Sequence, residues 1–241
     1  MAIEQLEMTT GLNKVDYAIN LLREWEPPEG YFLAFSGGKD SIVLYDIAIK
    51  SGVKFDAHYS VSPIDPPPLF SFIKSCYPNV TWDYHARGFW KLVQLKGLPL
   101  RRSRWCCQII KESGGNGRIV LTGIRSSEST KRKTYNYIRS YIRGKHKSVL
   151  ISPILNFTEY DVWQYIHKYD LKYSELYNLG FKRLGCVLCP FSREIELEEK
   201  YFPEIVRLWK LACEKLVIKE HEKGYYNFKN GEDKYQWWIS R

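Results

Sequence analysis

Ser36-Gly37-Gly38-Lys39-Asp40-Ser41 is the string in this sequence best suited to handling an anion. It follows the apolar run Tyr31–Phe35 and precedes Ile42, Val43, Ala48 and Ile49, which recur at helical spacing. A strand, a glycine turn and a helix N-terminus in that order present unpaired backbone N–H groups and a positive dipole end. Gly37 and Gly38 let the backbone approach a phosphate, Lys39 adds a point charge, and Ser36 and Ser41 can donate hydrogen bonds. The spacing differs from a Walker A loop, which needs Gly-x-x-x-x-Gly-Lys-Ser/Thr. The expected ligand is a nucleotide phosphate. A turn whose glycines serve geometry alone is the competing account.

The cysteines form the second candidate. Six occur, at 76, 106, 107, 186, 189 and 213, and four of them fall into the tight pairs Cys106-Cys107 and Cys186-Val-Leu-Cys189. A disulfide framework does not suit a reducing compartment. Two thiolate pairs suit a tetrahedral zinc or an iron–sulfur cluster. Tandem cysteines are awkward for zinc, whose knuckles are usually spaced on both sides, so the cluster ranks ahead. A buried cysteine beside a redox-silent Cys-x-x-Cys is the alternative. Cys76 and Cys213 lie on helical faces and read as packing cysteines.

Further anion ligands follow a later strand. After Arg118–Thr122 come Gly123, Arg125, Glu128 and Arg132. Arg125 can make a bidentate pair with phosphate or sulfate, and Glu128 can hold a neighbouring arginine or a metal. Lys131-Arg132-Lys133 alone would be a solvated face; beside a strand end, Arg132 becomes a second anion ligand. Arg101, Arg102 and Arg104 precede the tandem cysteines and would stabilise thiolates or attract a phosphorylated substrate, though a surface patch explains them nearly as well.

The elements that must position these residues alternate. Helices are expected over 13–25, capped by Asn13, over 66–76, and from Thr158, whose first turn is acidic. Strands are expected at 31–35, 54–60, 80–84, 118–123 and 148–152, and a long charged helical stretch at 194–222 is interrupted near Pro203. Alternation predicts an α/β fold, a mainly parallel sheet with helices on both faces and a helical C-terminal part. Ligands of open α/β sheets bind beyond the carboxyl ends of the strands, where residues 36–41, 123–128 and 152 onward fall. The expected organisation is a nucleotide-binding domain with the cysteine site over 1–192 and a helical extension of it over 193–241.

Composition sets the bounds. The 241 residues are 44% hydrophobic and 15% aromatic, which excludes disorder as the default. There is no apolar stretch of membrane-spanning length and no signal-peptide pattern, so a cytoplasmic location without membrane attachment is expected. The formal charge of +9 suits polyanionic ligands, nucleotides or nucleic acid, without establishing either.

The loop string resembles the PP-loop of the ATP pyrophosphatase superfamily, whose members split ATP between the α and β phosphorus atoms. From about residue 30 to about residue 200 the chain is similar to the phosphoadenosine phosphosulfate (PAPS) reductase family. Gly123-Ile-Arg125-Ser-Ser-Glu128-Ser129 resembles that family's Gly-x-Arg-x-x-Glu-Ser segment. Pro153-Ile-Leu155, Glu159, Asp161-Val-Trp163 and Tyr165-Ile166 resemble its Pro-Leu and Asp-Val-Trp helix, read mostly as packing. Trp105-Cys106-Cys107 with Lys111, and Gly185-Cys186-Val-Leu-Cys189-Pro190, look like the pattern that holds a [4Fe–4S] cluster in adenosine phosphosulfate (APS) reductases. The same layout is similar to PP-loop proteins of DNA phosphorothioation.

The resemblance implies an adenine nucleotide α-hydrolase-like fold and ATP, or else PAPS or APS, as ligand. It implies Mg²⁺ on Asp40, a [4Fe–4S] cluster on Cys106, Cys107, Cys186 and Cys189, and Lys39, Asp40 and Arg125 in catalysis. Implied partners are a sulfur or electron donor protein and an acceptor that could be a nucleic acid. Reductases of this family use a cysteine in a Glu-Cys-Gly-type tail, whereas no cysteine follows Cys213 here. They also tend to carry a degraded loop, while this loop keeps the ATP-splitting form. The expectation is ATP-dependent substrate activation for sulfur transfer, with a thiol-dependent PAPS or APS reductase as the alternative. A non-catalytic nucleotide-sensing subunit is a third. Trp237 and Trp238 could cap the core or form the surface of a homodimer.

Overall fold

The computed structural model describes residues 11–86, 88–143 and 146–240. They divide into two compact units. The first holds the chain up to Ser60, Pro68–Asp83 and Ser113–Tyr177; the second holds Val61–Pro67, Tyr84–Glu112 and the chain from Asn178.

The first unit is built on a six-stranded sheet. Its strands are β1 (Tyr31–Ala34), β2 (Phe55–Ser60), β3 (Thr81–Asp83), β4 (Ile119–Leu121), β5 (Ile138–Arg143) and β6 (His146–Ile151). They lie in the order β3-β2-β1-β4-β6-β5. All pairings are parallel except β5 with β6. Five of the strands answer to the segments that sequence spacing predicts. The sixth, β5, is an edge strand that alternation of strand and helix does not anticipate, because a hairpin joins it to β6 rather than a helix.

Chain order reverses across the sheet between β1 and β4. From β1 the chain moves outward to β2 and β3, then returns to place β4 on the other side of β1. Such a switch point opens a crevice at the carboxyl ends of the two strands, where ligands bind in α/β sheets.

The helices follow local signals. Asn13 caps α1 (Lys14–Glu24), its Oδ1 accepting from the N–H groups of Val15 and Asp16 at 3.0 and 2.9 Å. Helix α2 (Lys39–Ser51) starts at Gly38 and stops at Gly52, whose φ of +74° suits a residue without Cβ. Pro67 opens α3 (Pro67–Cys76), at the position where a missing N–H costs nothing. Thr158 caps α5 (Glu159–Lys168) in a reciprocal box with Asp161. Asp161 also receives the Lys14 ammonium at 2.6 Å, a buried pair that ties α1 to α5.

The second unit holds α4 (Phe89–Lys96), α6 (Ile195–Tyr201), α7 (Pro203–Glu222) and α8 (Gly231–Ile239). The break at Pro203 separates α6 from α7, as the sequence indicates. Helix α4 is an addition to that reading, while α8 falls within the helical C-terminal part that it expects. Trp238 of α8 is buried: its ring lies 4.4 Å from that of Trp209, and its Nε1 donates to the Pro99 carbonyl at 2.7 Å. Trp238 therefore packs as core of this unit. Cys213 is buried in α7, but Cys76 is exposed at the end of α3, against its expected packing role.

This is the mainly parallel, adenine nucleotide α-hydrolase-like fold, with a helical C-terminal region. No helix among the described residues is long and apolar enough to cross a membrane. Replacing Trp238 with alanine removes a buried ring and a buried hydrogen bond, so a loss of about 3–5 kcal/mol in urea unfolding is expected. An unchanged midpoint would mean that the ring is not core.

Candidate functional site

Two sets of residues converge, one in each unit. In the first unit, β1 delivers the chain to the loop and α2 begins at once. Gly37 takes φ +70°, and a Cβ there would sit 2.7 Å from Leu69 Cδ1 and 2.8 Å from Ile73 Cδ1. Only glycine fits this turn against α3. The Ser41 hydroxyl ties the loop together, donating to the Gly38 carbonyl at 2.8 Å and accepting from the Ser36 N–H at 3.2 Å. Ser36 Oγ accepts from the Gly38 N–H at 3.3 Å.

The first N–H groups of α2 point at an acceptor position. The Tyr177 phenol oxygen occupies it, accepting from the Lys39 N–H at 2.8 Å. An oxygen at that point can equally belong to a phosphate, because the helix end offers donors and positive potential together. Lys39 is 3% exposed; its ammonium lies 3.5 Å from Glu159 Oε1 and 5.3 Å from the centre of the Tyr177 ring.

Strand β4 brings its own end to the same place. A Cβ on Gly123 would lie 3.1 Å from the Asp40 carbonyl carbon, so the glycine permits β4 to run against the first turn of α2. Two residues on, the buried Arg125 reaches Asp40, with Nε 2.5 Å from Oδ1. Its guanidinium also donates to Ser127 Oγ at 3.0 Å, and its N–H donates to Glu128 Oε2 at 2.9 Å. Glu128 in turn pairs with Arg132. Burial pushes the Asp40 carboxyl above the usual range, against the pull of Arg125 and Lys39. Asp40, Arg125, Ser127, Glu128 and Arg132 thus form one polar network beside the Ser36–Ser41 loop, with Gly123 packed against its start.

The second unit brings the four cysteines together. Cys107–Lys111 forms a single π-helical turn behind the buried Trp105. Cys186 and Cys189 flank a tight turn in which Leu188 takes φ +56° and the Cys189 N–H donates to the Cys186 carbonyl at 3.2 Å. All four line one cavity of about 20 Å³, together with Ile64 and Lys111. The Lys111 ammonium is 2.5 Å from Asp65 Oδ2, and Asp65 is itself buried. Hydrogen bonding from Cys106, aided by Arg104, pulls the Cys107 thiol down to about 6. Burial pushes Cys186 and Cys189 upward. Among the described residues no three His, Cys, Asp or Glu side chains close around a single ion. A lone tetrahedral zinc would hold its sulfurs about 3.8 Å apart, at Zn–S distances of about 2.3 Å.

Glu198 of α6 holds the Cys186–Cys189 turn from behind. It accepts from the Leu188 N–H and from the Ser192 hydroxyl, both at 2.7 Å. Tyr177, Asp65 and Glu198 are absent from the sequence-predicted site, and Glu159 is read there as packing. Asp65 carries a faint signal as a charged residue inside Ile-Asp-Pro-Pro-Pro. Glu198 carries none, being one acid in a run of several.

Residues 30–192 match the phosphoadenosine phosphosulfate reductase domain. The chain belongs to that PP-loop family. Its relatives include an uncharacterized protein of Methanocaldococcus jannaschii, 28% identical over 212 residues, 81% of this chain and 51% of the relative. An adenosine 5'-phosphosulfate reductase of Bacillus cereus is 30% identical over 119 residues, 46% of this chain and 47% of that one. The chain spans about half the length of the curated relatives it matches. Among solved structures, PAPS reductase from Candida auris in a phosphate complex superposes with a TM-score of 0.53 and 18% identity, covering 74% of this chain and 90% of that one. FMN adenylyltransferase of Candida glabrata with ATP gives 0.53 and 17%, covering 72% and 60%. These likenesses show the fold that this PAPS reductase-family chain shares with nucleotide-handling proteins.

Burial raises the Glu198 carboxyl from its ordinary 4.5 to about 7. The native state therefore binds this proton more tightly than the unfolded chain does. The stability it contributes is complete below pH 4.5 and is lost as pH rises through about 7. Relative to wild type, Glu198→Gln should gain stability between pH 4 and pH 8, by up to about 3 kcal/mol. A pH-independent difference in urea unfolding would overturn this.

Proposed function

We propose that this chain is an ATP-cleaving PP-loop enzyme of sulfur metabolism, which adenylylates a substrate and thereby prepares it for sulfur transfer. The observation that carries the reading is the loop. Ser36–Ser41 keeps both glycines, both hydroxyls, a buried Lys39 and an Asp40 held by Arg125, all at the N-terminus of α2.

In the reaction an acceptor oxygen attacks the α-phosphorus of ATP. The bond from that oxygen to phosphorus forms as the bond from phosphorus to the bridging α–β oxygen breaks. Pyrophosphate leaves with the electron pair. The α2 N–H groups receive its oxygens in place of the Tyr177 phenol, and Lys39 and Arg125 offset the charge that develops there. Asp40 would hold Mg²⁺, which supplies charge neutralisation on the phosphates when bound. The Asp40–Arg125 pair keeps the carboxylate oriented before the nucleotide arrives.

Cys106, Cys107, Cys186 and Cys189 would hold a [4Fe–4S] cluster, whose chemistry is the carriage of sulfur or electrons. The donor set supports this: four thiols and no histidine line one cavity. Arg104 and Lys111 place positive charge beside thiolates that would otherwise accumulate negative charge.

A second reading, thiol-dependent reduction of PAPS or APS to sulfite, is favoured by the family match and by the B. cereus relative. Anaerobic incubation with ATP and Mg²⁺, and separately with PAPS and a dithiol, separates the two. Pyrophosphate from ATP supports activation; sulfite from PAPS without pyrophosphate from ATP overturns it. Asp40→Asn should abolish pyrophosphate release while the far-ultraviolet circular dichroism is kept, and retained turnover would sink the role of Asp40. Protein purified without oxygen should be brown, and Cys186→Ser should remove the colour and the bound iron. A colourless protein with stoichiometric zinc would overturn the cluster.

A further inference from the structure

The charge of this chain is unevenly placed. Residues 129–158 contain seven Lys and Arg and no Asp or Glu, whereas the whole chain has a formal charge of +9. The remaining residues therefore carry about +2 between them. Register decides where that charge lies. Ile138 of β5 sits opposite Ile151 of β6, so β5 begins at the carboxyl edge of the parallel strands, the edge that carries the nucleotide loop. Lys131, Arg132 and Lys133 occupy a 3-10 turn just before it, and Arg139 is its second residue. Lys147 lies at the other end of the hairpin, opposite Ile142.

Buried and half-buried cations elsewhere in this unit have acid partners, among them Lys14, Lys50, Arg118 and Arg125, whereas Lys131 and Lys133 are exposed and Arg139 is half-buried. Among the described residues Lys131, Lys133 and Arg139 are not ion-paired. Arg139 is half-buried with its guanidinium 3.9 Å over the Tyr135 ring, and its Nε is buried without a hydrogen-bond partner. Arg139 and Tyr141 alternate within β5 and so share a face of the strand, while Tyr135 lies under the Arg139 guanidinium and the Tyr137 ring packs 5.0 Å from that of Tyr17. Cations interleaved with aromatic rings on one edge suit a strand of phosphates that also carries bases able to stack. The patch is continuous with the site: Arg132 pairs with Glu128, which accepts from the Arg125 N–H, and Arg125 holds Asp40.

We propose that the segment Lys131–Tyr141 binds the backbone of a single-stranded nucleic acid and leads it to the nucleotide loop. This inference rests on the activation reading above and supplies its acceptor: the polynucleotide carries the oxygen that attacks ATP.

The test is binding of a short labelled single-stranded oligonucleotide to the full chain without ATP, by fluorescence anisotropy at increasing salt. Affinity should fall as salt rises, by roughly 0.7 log unit per log unit of salt for each phosphate contact. Lys131→Ala with Lys133→Ala should weaken binding about tenfold and flatten that slope by about 1.4. With water as the acceptor in place of the polynucleotide, pyrophosphate release from ATP alone should be unchanged in the double variant, and Lys147→Ala should bind as wild type does. Equal loss in Lys147→Ala, equal competition by inorganic polyphosphate of matched charge, preference for duplex, or no binding would each overturn the proposal. Pyrophosphate release without oligonucleotide binding removes this inference alone. Oligonucleotide binding with no pyrophosphate release from ATP, even when the oligonucleotide is present, removes the activation reading instead.

Discussion

Arg125 cannot be buried without an anion. A guanidinium taken out of water needs a partner at hydrogen-bond distance, and here the partner is Asp40, on the first turn of α2. That requirement ties the end of β4 to the start of α2, and the rest of the nucleotide region depends on it. Gly123 must be small so that the strand can pass the helix. Gly37 must adopt a left-handed turn so that the helix can start directly beneath β1. The parallel pairing of β1 with β4 sets both strand ends side by side. A buried pair of this kind is poor evidence for stability, since desolvation can exceed the attraction. What it contributes is orientation, of one carboxylate and one guanidinium toward the space where phosphates would lie.

The second unit follows the same rule with different chemistry. Its cysteine turn has backbone donors that a buried loop could not leave unpaired, and Glu198 accepts from one of them while Ile64 accepts from another. Lys111 enters the thiol-lined cavity with Asp65 as counter-charge. Two carboxylates, Glu198 and Asp65, thus hold the shape of the cysteine site. Such supporting groups matter as much to a cluster or metal as the ligands do, because they orient the sulfurs and set the local potential.

The hairpin of β5 and β6 adds a third consequence of topology. An antiparallel edge strand begins where its parallel neighbour ends, so the residues that lead into it arrive at the ligand-binding edge. In this chain those residues are cations and tyrosines.

The amino-acid sequence by itself determined the loop, most of the strands and the pairing of the cysteines. Each of these rests on short-range rules: glycines where φ is positive, apolar runs of strand length, caps at Asn13 and Thr158, and thiols spaced by zero and two residues. The periodicity of residues 194–222 likewise revealed α6 and α7 with their break at Pro203. Only the tertiary structure decided the rest. Asp65 meets Lys111 across 46 residues and Tyr177 meets Lys39 across 138, contacts that no local pattern encodes. Strand β5 was hidden for the same reason, and the choice between core and dimer surface for Trp238 stayed open. A hairpin edge and a core ring are defined by what packs against them, and that is settled only when distant segments of the chain are brought together.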